Sequence, residues 1–190
     1  MRRFRVGTTV AAAAMLVGGL SACALLAREP QSPWDAWLLP PATLGETVRV
    51  VQQWQLEEGA QSGILQGVLE AGPRGLTLVG LAGFGQRVLL LRYDGVEWHE
   101  ERHPRLPEAW EGRRLLRALQ LVYWPRDVVR SALPPGWQIE GTSADWVLTQ
   151  GGRPAARIRC EGDRRWQGRC AYEDLRSGYH LRIDSQIEAP

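Results

Sequence analysis

From Val48 the chain alternates. Val48, Val50, Trp54 and Leu56 fall on one parity, with Thr47, Arg49, Gln53, Gln55 and Glu57 on the other. That period of two predicts a half-buried strand. Glu58 to Gly63 reads as a turn, and Ile64 to Ala71 as a second strand. Gly72-Pro73-Arg74-Gly75 turns the chain into a third, Leu76 to Ala82. A fourth is predicted over Arg87 to Tyr93, closed by the hairpin pair Asp94-Gly95, and a fifth over Val96 to His99.

The third and fourth strands are apolar on both parities: Leu76 and Leu78 against Val79 and Leu81, then Val88 and Leu90 against Leu89 and Leu91. A sheet washed by water on one side does not carry such strands. Both faces must therefore meet something apolar, such as a packed helix on one side and a cavity or partner on the other. From Glu111 to Val122 the period changes. Leu115, Leu116, Leu119 and Val122 recur at helical spacing. Pro125 fits the first turn of a second short helix through Leu133, stopped by Pro134-Pro135-Gly136. Strands resume at Trp137–Glu140, Asp145–Thr149, Arg153–Cys160, Trp166–Glu173 and Tyr179–Asp184. Five strands, two helices and five strands with short connections predict a mainly β, α+β domain. Its core is an antiparallel curved sheet or open barrel, with helices packed into or over its mouth.

Ahead of this domain the pattern is of another kind. Arg2, Arg3 and Arg5 make a basic start, Val10 to Leu20 an apolar stretch too short to span a bilayer, and Leu20-Ser21-Ala22-Cys23 a lipobox. This predicts a lipoprotein signal over residues 1–22 and a diacylglycerol-bearing Cys23; the alternative is a plain signal peptide or short core helix with an incidental cysteine. Triacylation would anchor the chain firmly, where a single acyl chain binds only marginally. By resemblance to other bacterial lipoproteins, Ala24, in place of a retention-type aspartate, implies the outer membrane on its periplasmic side. Residues 23–44, with Pro30, Pro33, Pro40 and Pro41, read as the lipidated cysteine and a tether. Its Trp34, Trp37, Leu38 and Leu39 are apolar points for docking on a domain spanning 45–190.

Loss of Arg2, Arg3 and Arg5 with the signal takes the net charge from +2 to −1. The whole-chain pI of 8.6 therefore gives no case for a nucleic-acid partner.

Few residues offer chemistry. Cys160 and Cys170 flank a turn and, in an oxidising periplasm, most simply form a disulfide; two buried thiols are the alternative. His99-Glu100-Glu101-Arg102-His103 spells the zinc-hydrolase pattern. That chemistry needs a helix, though, and here a hairpin strand precedes while Pro104 and Pro107 follow. A solvated hairpin end is the better reading, and no metal or other cofactor is expected. His180 lies on the outward parity of the last strand. Ser185 neighbours Asp184, but adjacent strand residues face opposite ways and form no triad. With no Gly-x-Ser-x-Gly elbow or phosphate loop, no enzyme is expected. The nine tryptophans fill a core or line an apolar pocket. Phe84, between Gly83 and Gly85, either folds back on the sheet or stands out as an apolar finger.

Leu81-Ala82-Gly83-Phe84-Gly85-Gln86-Arg87-Val88-Leu89-Leu90-Leu91 resembles the LolB-type acceptor segment that carries a protruding leucine, with Phe84 at the leucine's place. The proline-split helices of Leu119 to Pro135 are similar too. The mature chain, through Leu119–Pro125 and Gly178–Ser185, also resembles a bacterial lipoprotein family of unassigned function, often encoded among aryl-polyene-type lipid biosynthesis genes.

The resemblance implies a LolA/LolB-like half-barrel of about ten strands with the two helices as a lid. It implies an interior holding a lipid or lipoprotein cargo, and a LolA-like periplasmic carrier as a partner. Trp54, Val88, Leu90 and Leu116 are the expected cavity walls and Phe84 the lipid-contacting residue. The other expectation is a scaffold module of a cell-envelope biosynthesis complex.

Overall fold

A computed structural model describes residues 33–162 and 166–187. The expected signal segment and Cys23 lie outside the described residues. Ten strands form one sheet: β1 (Val48–Glu58), β2 (Gln61–Gly72), β3 (Gly75–Ala82), β4 (Gln86–Tyr93), β5 (Trp98–Arg102), β6 (Trp137–Gly141), β7 (Asp145–Gln150), β8 (Arg153–Cys160), β9 (Gly168–Asp174) and β10 (Tyr179–Ile187). Their spatial order is β5-β4-β3-β2-β1-β10-β9-β8-β7-β6, with every neighbouring pair antiparallel. The sheet is thus two five-strand meanders joined by a single central ladder, β1 on β10. The outermost strands, β5 and β6, are only five residues long, and β5 carries mostly charged side chains. Both features guard an open edge against pairing with another chain.

Three α-helices accompany the sheet: α1 (Pro33–Ala36), α2 (Gly112–Tyr123) and α3 (Arg126–Ala132). The carboxylate of Glu111 caps α2, accepting from the amides of Arg113 (3.0 Å) and Arg114 (2.8 Å). Pro125, expected in the first turn of α3, stands one place earlier as its N-cap, with extended backbone (φ −54°, ψ 132°). The fifth strand starts later than its pattern predicts. Asp94 Oδ1 accepts from the amides of both Val96 and Glu97, and this widens the hairpin loop.

Residues 33–44, read as a tether with apolar docking points, go further than docking: Trp34, Trp37, Leu39 and Leu44 are all buried in the core. Trp34 stacks on Trp137 of β6 with ring centroids 4.1 Å apart. Pro40 lies against Gly95 in the β4–β5 loop, and the 3-10 turn Pro41–Leu44 contacts β2 and β3. This stretch therefore reaches from one meander to the other, and the boundary expected at 45 moves toward the N-terminus.

Cys160 and Cys170 stand opposite one another on β8 and β9 and are joined by a disulfide. It closes a loop of ten residues in sequence separation, for which chain entropy gives about 2–3 kcal/mol. We expect Cys160→Ala with Cys170→Ala to lower urea-unfolding stability by about that amount; a loss under about 0.5 kcal/mol would show that the bond constrains nothing.

Candidate functional site

The helix-bearing face takes one residue in two from each strand. Trp54 stands opposite Leu65 and Ile183, and Leu56 opposite Leu181. Leu69, Leu78 and Leu91 make a row across β2, β3 and β4. Onto this floor α2 lays Leu115, Leu116 and Leu119, all fully buried. A hydrogen-bonded chain of side chains runs through the apolar layer. Trp54 Nε1 donates to Gln52 Oε1 (2.8 Å), Gln52 Nε2 donates to Ser185 Oγ (2.9 Å), and Ser185 Oγ meets the Tyr123 hydroxyl at 2.6 Å. It ties β1, β10 and α2 together. Burial pushes the Tyr123 phenol far above its ordinary range, against the opposing pull of the Ser185 hydrogen bond.

The four expected wall residues do not share one place. Trp54 and Leu116 both lie fully buried in the core. Val88 is the extra residue where the β3–β4 register shifts after Gly80, and this bulge lets it join the core. Leu90 is a correction. It pairs with Val79 while Leu91 pairs with core Leu78, which puts Leu90 on the face away from the main core, where it is still only 4% exposed. Leu89 and Leu91 take the inward places the pattern left ambiguous. Arg92, sharing parity with Leu90, was the marker in the sequence.

On the outer face Leu90 ends an apolar row, Val51–Val68–Val79–Leu90, that crosses four strands. A polar row, Arg49–Glu70–Thr77–Arg92–His99, runs beside it and lines an open groove of about 1040 Å³. A second groove of about 580 Å³ lies under the β3–β4 loop, lined in part by Val51, Ile64, Leu81 and Phe84.

Phe84 is fully exposed, at 113% of its reference area, and Ile64 is 59% exposed. Phe84 is the one non-glycine with positive φ among the described residues (φ 57°, ψ 19°). The left-handed region is unfavourable for a residue with a Cβ, by about 1–2 kcal/mol. Gly83 and Gly85 on either side have open space where a Cβ would sit. Of the two readings of this loop, the one with the ring folded back on the sheet is not what is seen.

The His-Glu-x-x-His run lies on and just beyond β5, not on a helix. His99 Nε2 contacts Glu101 Oε1 at 3.1 Å, Glu100 turns to the other face to accept from the Gly112 amide, and His103 Nδ1 accepts from the Arg105 amide. Strand geometry thus sends the pattern's members to different partners. No group of three His, Cys, Asp or Glu is placed to hold a metal among the described residues. His180 pairs with Glu173 at 3.2 Å.

A family model described as "Protein of unknown function (DUF3261)" matches residues 49–187. The chain belongs to the DUF3261 family. The match takes in both short motifs quoted from Leu119 and Gly178. No curated protein matches the chain. Among solved structures, it is similar to a LolA superfamily protein from Nitrosomonas europaea. The two share 12% identity over 81% of this chain and 96% of that one, with a TM-score of 0.41.

The sequence did not reveal which polar groups of this DUF3261 domain would be buried. Arg117 and Gln120 sit on the side of α2 away from Leu115 and Leu119, where the pattern suggests solvent. Both are buried because residues 33–39 cover that side. Arg117 Nη1 donates to the carbonyls of Trp34 and Asp35, at 3.0 Å each. Gln120 holds both main-chain groups of Leu39: its Oε1 accepts from the Leu39 amide (2.8 Å) and its Nε2 donates to the Leu39 carbonyl (2.7 Å).

Proposed function

We propose that this protein is a non-enzymatic lipoprotein, anchored at the outer membrane through Cys23, that accepts a lipid-like cargo in the periplasm. Such cargo is an acylated protein or a glycolipid or polyene lipid. The observation that carries the reading is Phe84. An aromatic ring held wholly in water, on a loop with unfavourable backbone dihedrals and no compensating contact, gains free energy only when an apolar phase meets it. Half-exposed Leu81 and exposed Ile64 extend the same patch. The large apolar floor beneath α2 supplies surface for acyl chains once the elements covering it move aside. The resemblance of the Phe84 segment to the LolB-type loop supports the same role.

Full burial of a phenylalanine contributes about 2–3 kcal/mol, so its replacement by a charge should matter greatly for contact with lipid. Phe84→Glu is expected to reduce transfer of acylated cargo to liposomes at least about tenfold, with an unchanged melting curve. Phe84→Leu should retain most transfer. Transfer by Phe84→Glu at the wild-type rate would sink the reading.

A scaffold role in an envelope biosynthesis complex is the second reading, favoured by the outer-face row Val51–Val68–Val79–Leu90. Lipid extraction and mass spectrometry of the purified domain separates the two. Recovered acyl or polyene species support the carrier, and a lipid-free protein that captures one envelope protein supports the scaffold.

A further inference from the structure

Residues 33–44 lie before the family-matched part of the chain and yet fill its concave side. They are not a strand of the sheet, so no ladder would break if they left. Their apolar side chains pack on β6, on β2 and β3 and against the β4–β5 loop, and their polar hold is a short set of contacts from α2, Trp124 and α3, several of which read main chain. Gln120 grips the amide and carbonyl of Leu39 together, and Arg117 takes two successive carbonyls. Trp37 Nε1 donates to Ala132 O at 2.8 Å, and Trp124 Nε1 to Thr43 Oγ1 at 3.0 Å. Around these polar points the slot is aromatic, with Trp34 stacked on both Trp37 and Trp137.

The seat has two features of a replaceable occupant. Trp34 Nε1 is buried with no hydrogen-bond partner, a penalty that a ligand without that group avoids. Arg117, only 7% exposed, donates to neutral carbonyls of the covering segment. Burial lowers its pKa, so its charge is held at a cost that a ligand richer in acceptor oxygens would relieve. If residues 33–44 simply left, Arg117 and Gln120 would lose these partners, and the slot therefore favours exchange over emptying.

We propose that the slot filled by residues 33–44 is the polar end of the cargo site, that it takes an acyl amphiphile whose head carries a peptide group, and that the chain's own segment holds it until such a ligand displaces it. This rests on the lipid-accepting role above. The main-chain grip of Gln120 selects a head with an N–H and a C=O side by side, which a fatty acid lacks. The apolar volume of Trp34, Trp37 and Leu39 is released to the acyl chain.

The test uses the mature full-length chain and two fluorescent probes, a palmitoylated peptide and a palmitate of the same chain length. Trp34→Ala with Trp37→Ala loosens the occupant and leaves Arg117 and Gln120 in place. It should bind the palmitoyl peptide at least tenfold more tightly than wild type. Gln120→Ala added to it should remove that gain for the peptide probe and leave palmitate binding unchanged. In the wild type, saturation with palmitoyl peptide should abolish hydrogen-exchange protection of the Leu39 amide, a readout that needs no variant to fold.

Peptide binding by the wild type with Leu39 still protected would overturn the displacement. Equal binding of both probes irrespective of Gln120 would overturn the peptide-group selectivity. Either outcome leaves the lipid-accepting role standing. Binding of neither probe to any folded variant or to wild type would overturn that role and the slot with it.

Discussion

Gly67→Ala is expected to destabilise the domain by about 3–5 kcal/mol, combining core overpacking with a lost buried hydrogen bond. Gly67 sits on β2 directly beneath the indole of Trp54. A Cβ there would fall 2.0 Å from Trp54 Cζ2 and 2.3 Å from Cη2, separations no real side chain tolerates. The ring cannot swing away cheaply, because it is fully buried and its Nε1 is committed to Gln52. To admit the methyl, Trp54 must change rotamer and surrender that hydrogen bond, or β1 and β2 must part. Gly83→Ala is the control: a Cβ there meets nothing within 4 Å, and stability should stay within about 0.5 kcal/mol of wild type. Urea unfolding followed by tryptophan fluorescence measures both. A Gly67→Ala protein within about 1 kcal/mol of wild type would mean that Trp54 does not rest on this glycine.

Gln52→Leu should cost about 3 kcal/mol, although leucine is apolar and close in size to what it replaces. The side chain of Gln52 is 1% exposed and joins Trp54 Nε1 to Ser185 Oγ. Removing it strands a buried indole N–H and takes one partner from a buried hydroxyl, each worth about 1–3 kcal/mol. In a domain of this size that is a fall in Tm of about 10 °C. Ser185→Ala alone should cost less, because Gln52 keeps its indole partner. The double variant should cost less than the sum of the two singles, since both remove the same link. Strict additivity in that cycle would contradict the connected chain from Trp54 to Tyr123.

The strands were legible because most carry a marker of direction. Arg49, Gln53 and Gln55 face out where Val50, Trp54 and Leu56 face in, although β1 runs on to Glu58 and β2 starts at Gln61, inside the expected turn. The helix pair was equally plain from Leu115, Leu116 and Leu119 and from Pro125. On β4 the same reasoning had four consecutive apolar residues and a bulge to contend with. Val88 and Leu90 share a parity, yet the register shift at Gly80 draws Val88 into the core and leaves Leu90 outside. Sequence periodicity assumes an unbroken pleat, and a bulge violates that silently.

The sequence marked Trp34, Trp37, Leu38 and Leu39 as docking points in residues 33–44, but not how deeply Trp34, Trp37 and Leu39 would be buried. The polar clamp made by Arg117 and Gln120 was hidden for the same reason: a polar residue on a helix looks solvated until its cover is known.

The single central ladder has a consequence for how this chain becomes a protein. Each meander is built from neighbours in sequence, so its contacts close quickly once its strands exist. The seam between them pairs Val50 with Ile187 and Leu56 with Leu181, joining the first strand made to the last. Until β10 is made, the growing polypeptide holds two half-sheets, each with a raw inner margin and neither able to shelter its apolar side. A chain clipped before Tyr179 would lose the strand in the middle, not at the periphery, and the result is two unjoined pieces prone to aggregate. Closure of the sheet thus waits for β10, the last of the ten strands in chain order.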